Sequence, residues 1–294
     1  MSKTNTELLA AYKKANKERK KVIIKKAGFR SELKYLASLK DTSTDTKKET
    51  IAPVVVDNDM LDQVIAFDTT GSMSSYIAAV RKHVTDLIPK LFADNPNLRI
   101  KIVAFGDYCD MLSPTNFGPA YQETTLTDNQ NELINFVNGA KNTGGGDGDE
   151  FYELVIKKVV EETPWREGSK RAFLLIGDCQ PHPVGYTYNG RVTNAQIDWK
   201  QEAGKAVGLG VQIDTLSCGH SGGIFYKTLS EMTDGVHLPF SSSEKTQHAI
   251  YATTSVRGSK KSRASFVAAS AAAFSSGDTE LAATYTSLTK KLVD

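Results

Sequence analysis

A chain of 294 residues, 40% hydrophobic and with a formal net charge of only +2, has enough material to bury one full α/β core with extra segments beside it, and too little for a second complete domain. No run approaches the roughly 20 apolar residues needed to cross a bilayer, and charge follows Met1-Ser2-Lys3-Thr4-Asn5 where a secretory signal has an apolar stretch, so a cytoplasmic protein with no membrane contact is expected. The three cysteines, Cys109, Cys179 and Cys218, are odd in number and lack zinc-like spacing, which argues against a disulfide framework and suits a reducing compartment.

Met1 to Lys40 holds twelve Lys and Arg against three Glu, a charge of +9 that leaves −7 for everything downstream. Leu8, Tyr12, Ala15, Ile23, Leu33 and Leu36 recur among these charges with a weak helical period that Gly28 interrupts, so residues 1–40 read as a basic arm of one or two helices. Such an arm on an acidic body can touch nucleic acid, an acidic partner or the body itself. Because the Lys13 to Lys26 stretch has no aromatic residue among its charges, nucleic-acid binding through it, helped by the Lys260-Lys261-Ser262-Arg263 turn, is expected only as an accessory activity. Residues 41–59 have a linker's composition, rich in Thr, Asp and Lys.

From Val64 short apolar runs alternate with helical periods. Val64-Ile65-Ala66-Phe67 is too short for a helix and too uniformly apolar for an exposed strand, which predicts a central strand covered on both faces. Tyr76, Val80, Val84, Leu87 and Leu91 then form one apolar stripe on a helix. Arg99 to Phe105 is a strand, and Asp110 to Thr125, with Pro114, Gly118 and Pro119 inside it, fits a hairpin or edge strand. Helices are predicted over Asn129 to Asn138, Glu150 to Glu162, Thr193 to Val207 and Phe225 to Met232, and strands over Ala172 to Ile176, Val211 to Leu216 and Val236 to Phe240. A last helix to about Val256 closes a domain spanning residues 60–257. The expected fold is α/β and Rossmann-like: a doubly wound, mostly parallel six-stranded sheet with helices on both faces and helical N- and C-terminal extensions. The Ala/Ser-rich tail, residues 258–294, has two helix-compatible stretches split by Ser275-Ser276-Gly277-Asp278 and little evident surface to pack, so it is expected to be partly helical or disordered.

In open parallel sheets ligands bind beyond the carboxyl ends of the strands. Three polar motifs fall at that edge. Asp68-Thr69-Thr70-Gly71-Ser72 leaves the first strand directly, and Gly71 tightens the turn so that Asp68, Thr70 and Ser72 point to one spot. Thr143-Gly144-Gly145-Gly146-Asp147-Gly148-Asp149-Glu150 is flexible enough to approach it, and Gly177-Asp178 ends a later strand. Carboxylates and hydroxyls with no soft ligand make a hard-cation site, best suited to Mg²⁺, with Mn²⁺ or Ca²⁺ as alternatives. Taken singly, the first motif is better read as a helix N-cap and the second as a flexible loop; their joint occurrence at one sheet edge favours the metal. Asp107, Asp110, Asp149 and Glu150 read as solvated or capping residues, and a softer second site around His182, His220, Cys179 and Cys218 is the minor alternative.

These residues resemble a von Willebrand factor A domain with a metal-ion-dependent adhesion site, over roughly Met60 to Val256. The family pattern is Asp-x-Ser/Thr-x-Ser after the first strand, a Thr or Asp in a later glycine-rich loop, and an Asp after the fourth strand. Asp68, Thr70 and Ser72 match its first element and Asp178 its last. For the middle element the resemblance implies Asp147, because the subgroup with a Gly-Gly-Gly-Asp loop carries aspartate where other members have threonine; Thr143 is the alternative ligand. Trp165, Lys170-Arg171, Asp178 to His182, Phe225-Tyr226 and Gly235-Val236-His237 extend the likeness.

The implied function is a metal-dependent protein-protein interaction module without catalytic residues, whose partner's acidic side chain can complete the coordination. A site with three aspartates retains its metal more tightly and attracts such a carboxylate less than the threonine version. The competing reading is a Mg²⁺-dependent phosphotransferase or phosphatase with Asp68 as nucleophile. It lacks the acid/base aspartate two positions on, where Thr70 stands, and has no use for the glycine-rich loop.

Overall fold

The structure is a computed structural model that describes residues 59–112, 119–219 and 223–292. The basic arm, nearly all of the linker and His220 lie outside the described residues. Strand β1 (Leu61–Asp68) is followed by helix α1 (Ser74–Asp94), β2 (Leu98–Phe105), β3 (Tyr121–Glu123), α2 (Gln130–Gly139), the two-residue β4 (Asp149–Glu150) and α3 (Tyr152–Glu162). Next come β5 (Lys170–Gly177), β6 (Gln180–Pro181), β7 (Thr187–Tyr188), β8 (Val192–Thr193), α4 (Trp199–Gly208), β9 (Val211–Cys218), α5 (Gly223–Met232), β10 (His237–Phe240) and α6 (Thr246–Ser255). Helices α7 (Lys260–Ser275) and α8 (Thr279–Thr289) complete the order.

The main sheet has six strands in the order β10-β9-β5-β1-β2-β3. All pairs are parallel except the edge pair β2 with β3. Alternation along β1 sends Leu61 and Ile65 into one apolar cluster and Val64 and Ala66 into the other. Helices α1, α2 and α6 cover the first face with Leu87, Leu133 and Ile250 among others, and α3, α4 and α5 cover the second with Val155, Ala203 and Tyr226. A strand buried on both sides has no polar alternation to show, which is why β1 and β5 read as continuous apolar runs. Two ion pairs tie neighbouring segments to buried strand residues: Arg166 to Asp62 at 2.7 Å near the start of β1, and Arg257 to Asp214 within β9.

Two expectations need correction. The helix expected from Thr193 starts only at Trp199, capped by Asp198. Thr193 belongs to the small hairpin β7-β8, and Ala195 and Gln196 take φ of +48° and +66°, which no right-handed helix accommodates. The Ala-rich tail, in turn, finds the apolar partners its composition did not reveal: Phe266, Tyr285 and Leu288 are buried in the first cluster, with the Phe266 and Tyr285 rings 5.1 Å apart. Asn95 anchors that tail, donating to Leu91 O and Ser262 Oγ at 3.0 and 2.9 Å while its Oδ1 accepts from Ser259 N at 2.8 Å. No helix among the described residues is long and apolar enough to cross a membrane.

Candidate metal centre

Asp68 is the last residue of β1 and is completely buried. The turn that follows folds back on it: Thr70 N and Thr70 Oγ1 donate to Asp68 Oδ1 at 2.8 and 2.7 Å. Its other oxygen, Oδ2, accepts a 2.7 Å bond from the Tyr152 hydroxyl in the first turn of α3. Burial pushes the Asp68 pKa up to about 6, aided by the negative charge of Asp178 and opposed by the bonds from Thr70 and Tyr152. Position 177 must be glycine for this arrangement, since a Cβ there would stand 2.0 Å from the Tyr152 hydroxyl.

Asp178 leaves β5, the parallel neighbour of β1. Ligand atoms of Asp68, Asp178 and Cys179 all lie within 4.8 Å of one another. The Cys179 thiol donates to Asp178 Oδ1 at 3.3 Å, and burial together with the charge of Asp178 raises its pKa well above the usual thiol range. Asp68 and Asp178 are the hard oxygen donors of this group, and Cys179 is its soft member.

Two of the other expected ligands, Thr143 and Asp147, are engaged elsewhere. Ser72 is exposed on the tight turn Gly71–Met73. Thr143 is buried beside Thr69, its Oγ1 3.0 Å from Thr69 Oγ1 and its N–H donating to Thr69 O at 2.9 Å. Asp147 is exposed; Tyr186 donates to its Oδ2 at 2.8 Å and Asp149 N to its Oδ1 at 3.2 Å. Its carboxylate groups with Asp107 and His182, again within 4.8 Å, and not with Asp68 and Asp178. His182 Nε2 is 2.6 Å from Asp107 Oδ1, and the imidazole stacks on Tyr186 with centroids 3.6 Å apart. Burial works to lower the His182 pKa, but the bond and charge of Asp107 outweigh it and the net shift is upward.

Asp107, Asp110 and Glu150, expected to be solvated or capping, are 0%, 4% and 3% exposed. Asp110 accepts from Gly144 N at 2.8 Å and so pins the glycine-rich loop to the exit of β2. Glu150 lies in β4, which pairs with β6 and holds the end of that loop against the residues after Asp178. Burial, then the charges of Asp68, Asp107, Asp110 and Asp147, raise the Glu150 pKa to about 10, and its Oε2 is buried without a hydrogen-bond partner. Glu153, bonded by Tyr108 and the His182 N–H, is raised by burial to about 7. A crowded set of buried carboxyl groups, one with an orphaned oxygen, suits a divalent cation, which Asp68 and Asp178 could hold. When bound, such a cation supplies positive charge and open coordination positions at the sheet edge.

Sequence reading missed Tyr152 and Glu150. Tyr152 sits inside an apolar helical period and carries no local mark of its polar contact; Glu150 is hidden by a motif whose acidic residues all look alike.

The sequence profile described as von Willebrand factor type A domain matches residues 62–259. A putative ariadne-like RING finger protein, R811, of Acanthamoeba polyphaga mimivirus is 27% identical over 123 residues, which is 42% of this chain and 11% of that protein. The chain thus spans about a tenth of the length of that curated relative. Among solved structures, the pilus adhesin SpaC of Lactobacillus rhamnosus GG is similar with a TM-score of 0.49 at 14% identity, over 67% of this chain and 30% of SpaC. Proximal thread matrix protein 1 of the mussel byssus is similar with a TM-score of 0.47 at 14% identity, over 67% of this chain and 47% of that protein.

Proposed function

This chain belongs to the von Willebrand factor type A domain family, and from that premise we propose that it is a protein-binding module that docks its partner at a divalent cation, Mg²⁺ in the first instance. Domains of this family act as adhesion and interaction modules rather than as catalysts. The observation that carries the reading is the convergence of Asp68 and Asp178, from adjacent parallel strands, with ligand atoms within 4.8 Å at the carboxyl edge of the sheet. The ligands proposed are Asp68, Thr70, Ser72 and Asp178, with the glycine-rich loop contributing a further group from Thr143, Asp147 or its neighbours. Three free cysteines fit a cytoplasmic setting.

The test is affinity capture with the full chain as bait, in Mg²⁺ and in EDTA, repeated with Asp68→Ala. Partners retained only by the wild-type chain in Mg²⁺ support the reading. Identical partner sets in all three conditions overturn it.

A further inference from the structure

Among the buried carboxylates around the sheet edge, Glu150 stands apart. Asp68 accepts from Thr70 and Tyr152, Asp107 from Cys109 N, Asp110 from Gly144 and Asp107 N–H groups, and Glu153 from Tyr108 and the His182 N–H. Glu150 is 3% exposed, and its Oε2 meets no donor. A buried acceptor left without a partner is costly, so a donor from outside the chain is the natural complement.

The Glu150 carboxyl lies beside Gly145, on the same side as the turn after Asp68. A methyl group on Gly145 would stand 2.9 Å from Glu150 Oε1 and 3.5 Å from Thr70 Cγ2, so the carboxyl and the Asp68-Thr70 turn border one narrow gap that Gly145, at φ +67°, keeps open. The two loop residues that the family resemblance implies are engaged elsewhere: Asp147 with Tyr186 and Asp149 N, Thr143 with Thr69. Mg²⁺ sheds water reluctantly and usually keeps several waters beside one or two carboxylates, and those waters are donors. Acceptors that hold an ion's outer shell commonly contribute tenfold or more to its affinity.

We infer that Glu150 is the acidic residue the glycine-rich loop supplies to the cation site, its free Oε2 accepting a hydrogen bond from water on the bound ion. This rests on the proposed cation site. With Asp68 and Asp178, it places three carboxyl groups of this chain around one dication.

Calorimetric titration of the full chain with Mg²⁺, and with Mn²⁺ as a second probe, tests it. Wild type is expected to bind, Asp178→Ala to lose binding, Glu150→Gln to bind at least about tenfold more weakly, and Asp147→Asn to stay within about threefold of wild type. Thermal unfolding in EDTA separates this from damage to the fold: Glu150→Gln is expected to melt at or above wild type without cation and to gain less on adding it. Should Glu150→Gln not fold, Glu150→Asp, which withdraws the carboxylate by one methylene, is expected to show the same weakening. Undiminished affinity in the folded Glu150 variant, with Asp178→Ala inactive, overturns the role of Glu150 and leaves the cation site standing. Failure of wild type to bind either ion overturns both.

Discussion

The hydroxyl of Tyr152 donates a 2.7 Å hydrogen bond to Oδ2 of Asp68, joining the first turn of α3 to the end of β1 across 84 residues of sequence. It passes over Gly177, where any side chain would collide with the phenol. Tyr152 thereby aligns the central carboxylate and packs edge-on against Phe105, with ring centroids 5.1 Å apart. Replacing it by Phe preserves the ring and removes the donor, leaving a buried carboxylate oxygen short of its partner. Tyr152→Phe is expected to cost about 1–3 kcal/mol, read by urea denaturation in EDTA. Gly177→Ala should cost at least as much, since it expels the same hydroxyl sterically.

Stability without cation should fall as pH rises from 5 to about 8. Burial lifts Asp68 from 3.8 to about 6 and Glu153 from 4.5 to about 7. Carboxyls raised in the folded state favour folding while protonated, so their contribution is complete below their ordinary values and is lost as pH climbs through the raised ones. A cation at Asp68 needs the ionised form, so the gain in melting temperature on adding Mg²⁺ should grow over the same interval. Melting curves at several pH values, with Mg²⁺ and with EDTA, check both trends. A Mg²⁺ effect that is largest at pH 5 contradicts them.

His182 and Asp107 form a pair 2.6 Å apart with both side chains buried. Removing one partner strands the other charge, so His182→Ala is expected to destabilise by about 3–5 kcal/mol. The double change His182→Ala with Asp107→Ala should be milder than the sum of the two single changes. A denaturant-based double-mutant cycle measures the coupling.

Asn95 ties α1 to the tail by bonds to Leu91, Ser262 and Ser259. Asn95→Ala leaves the buried Ser259 N–H without its acceptor and is expected to cost about 1–3 kcal/mol. It should also speed amide exchange in α7 and α8 relative to β1, which hydrogen-exchange mass spectrometry resolves.

The two aspartates at strand ends were legible because the pattern around them was strong. An apolar run names a buried strand, parallel strands share one carboxyl edge, and so Asp68 and Asp178 had to emerge side by side. Nothing comparable marks the stretch from Thr143 to Glu150. Four of its eight residues are glycine, so it has no periodicity, and its three acidic residues differ only in where a flexible backbone happens to aim them. The helices of the tail were legible but their docking was not, because Ala, Ser and Thr conceal the few residues, Phe266, Tyr285 and Leu288, that bury it.

Local pattern by itself determined the order of strands and helices, the parallel sheet and the sheet edge at which chemistry would gather, because these follow from backbone geometry and from which residues shun water. Tertiary structure alone decided that Tyr152 reaches Asp68, that Asp147 turns toward His182 and that Glu150 is buried without a donor. Those outcomes depend on contacts between segments far apart in the chain, whose relative placement is a property of the packed core and not of any short stretch within it.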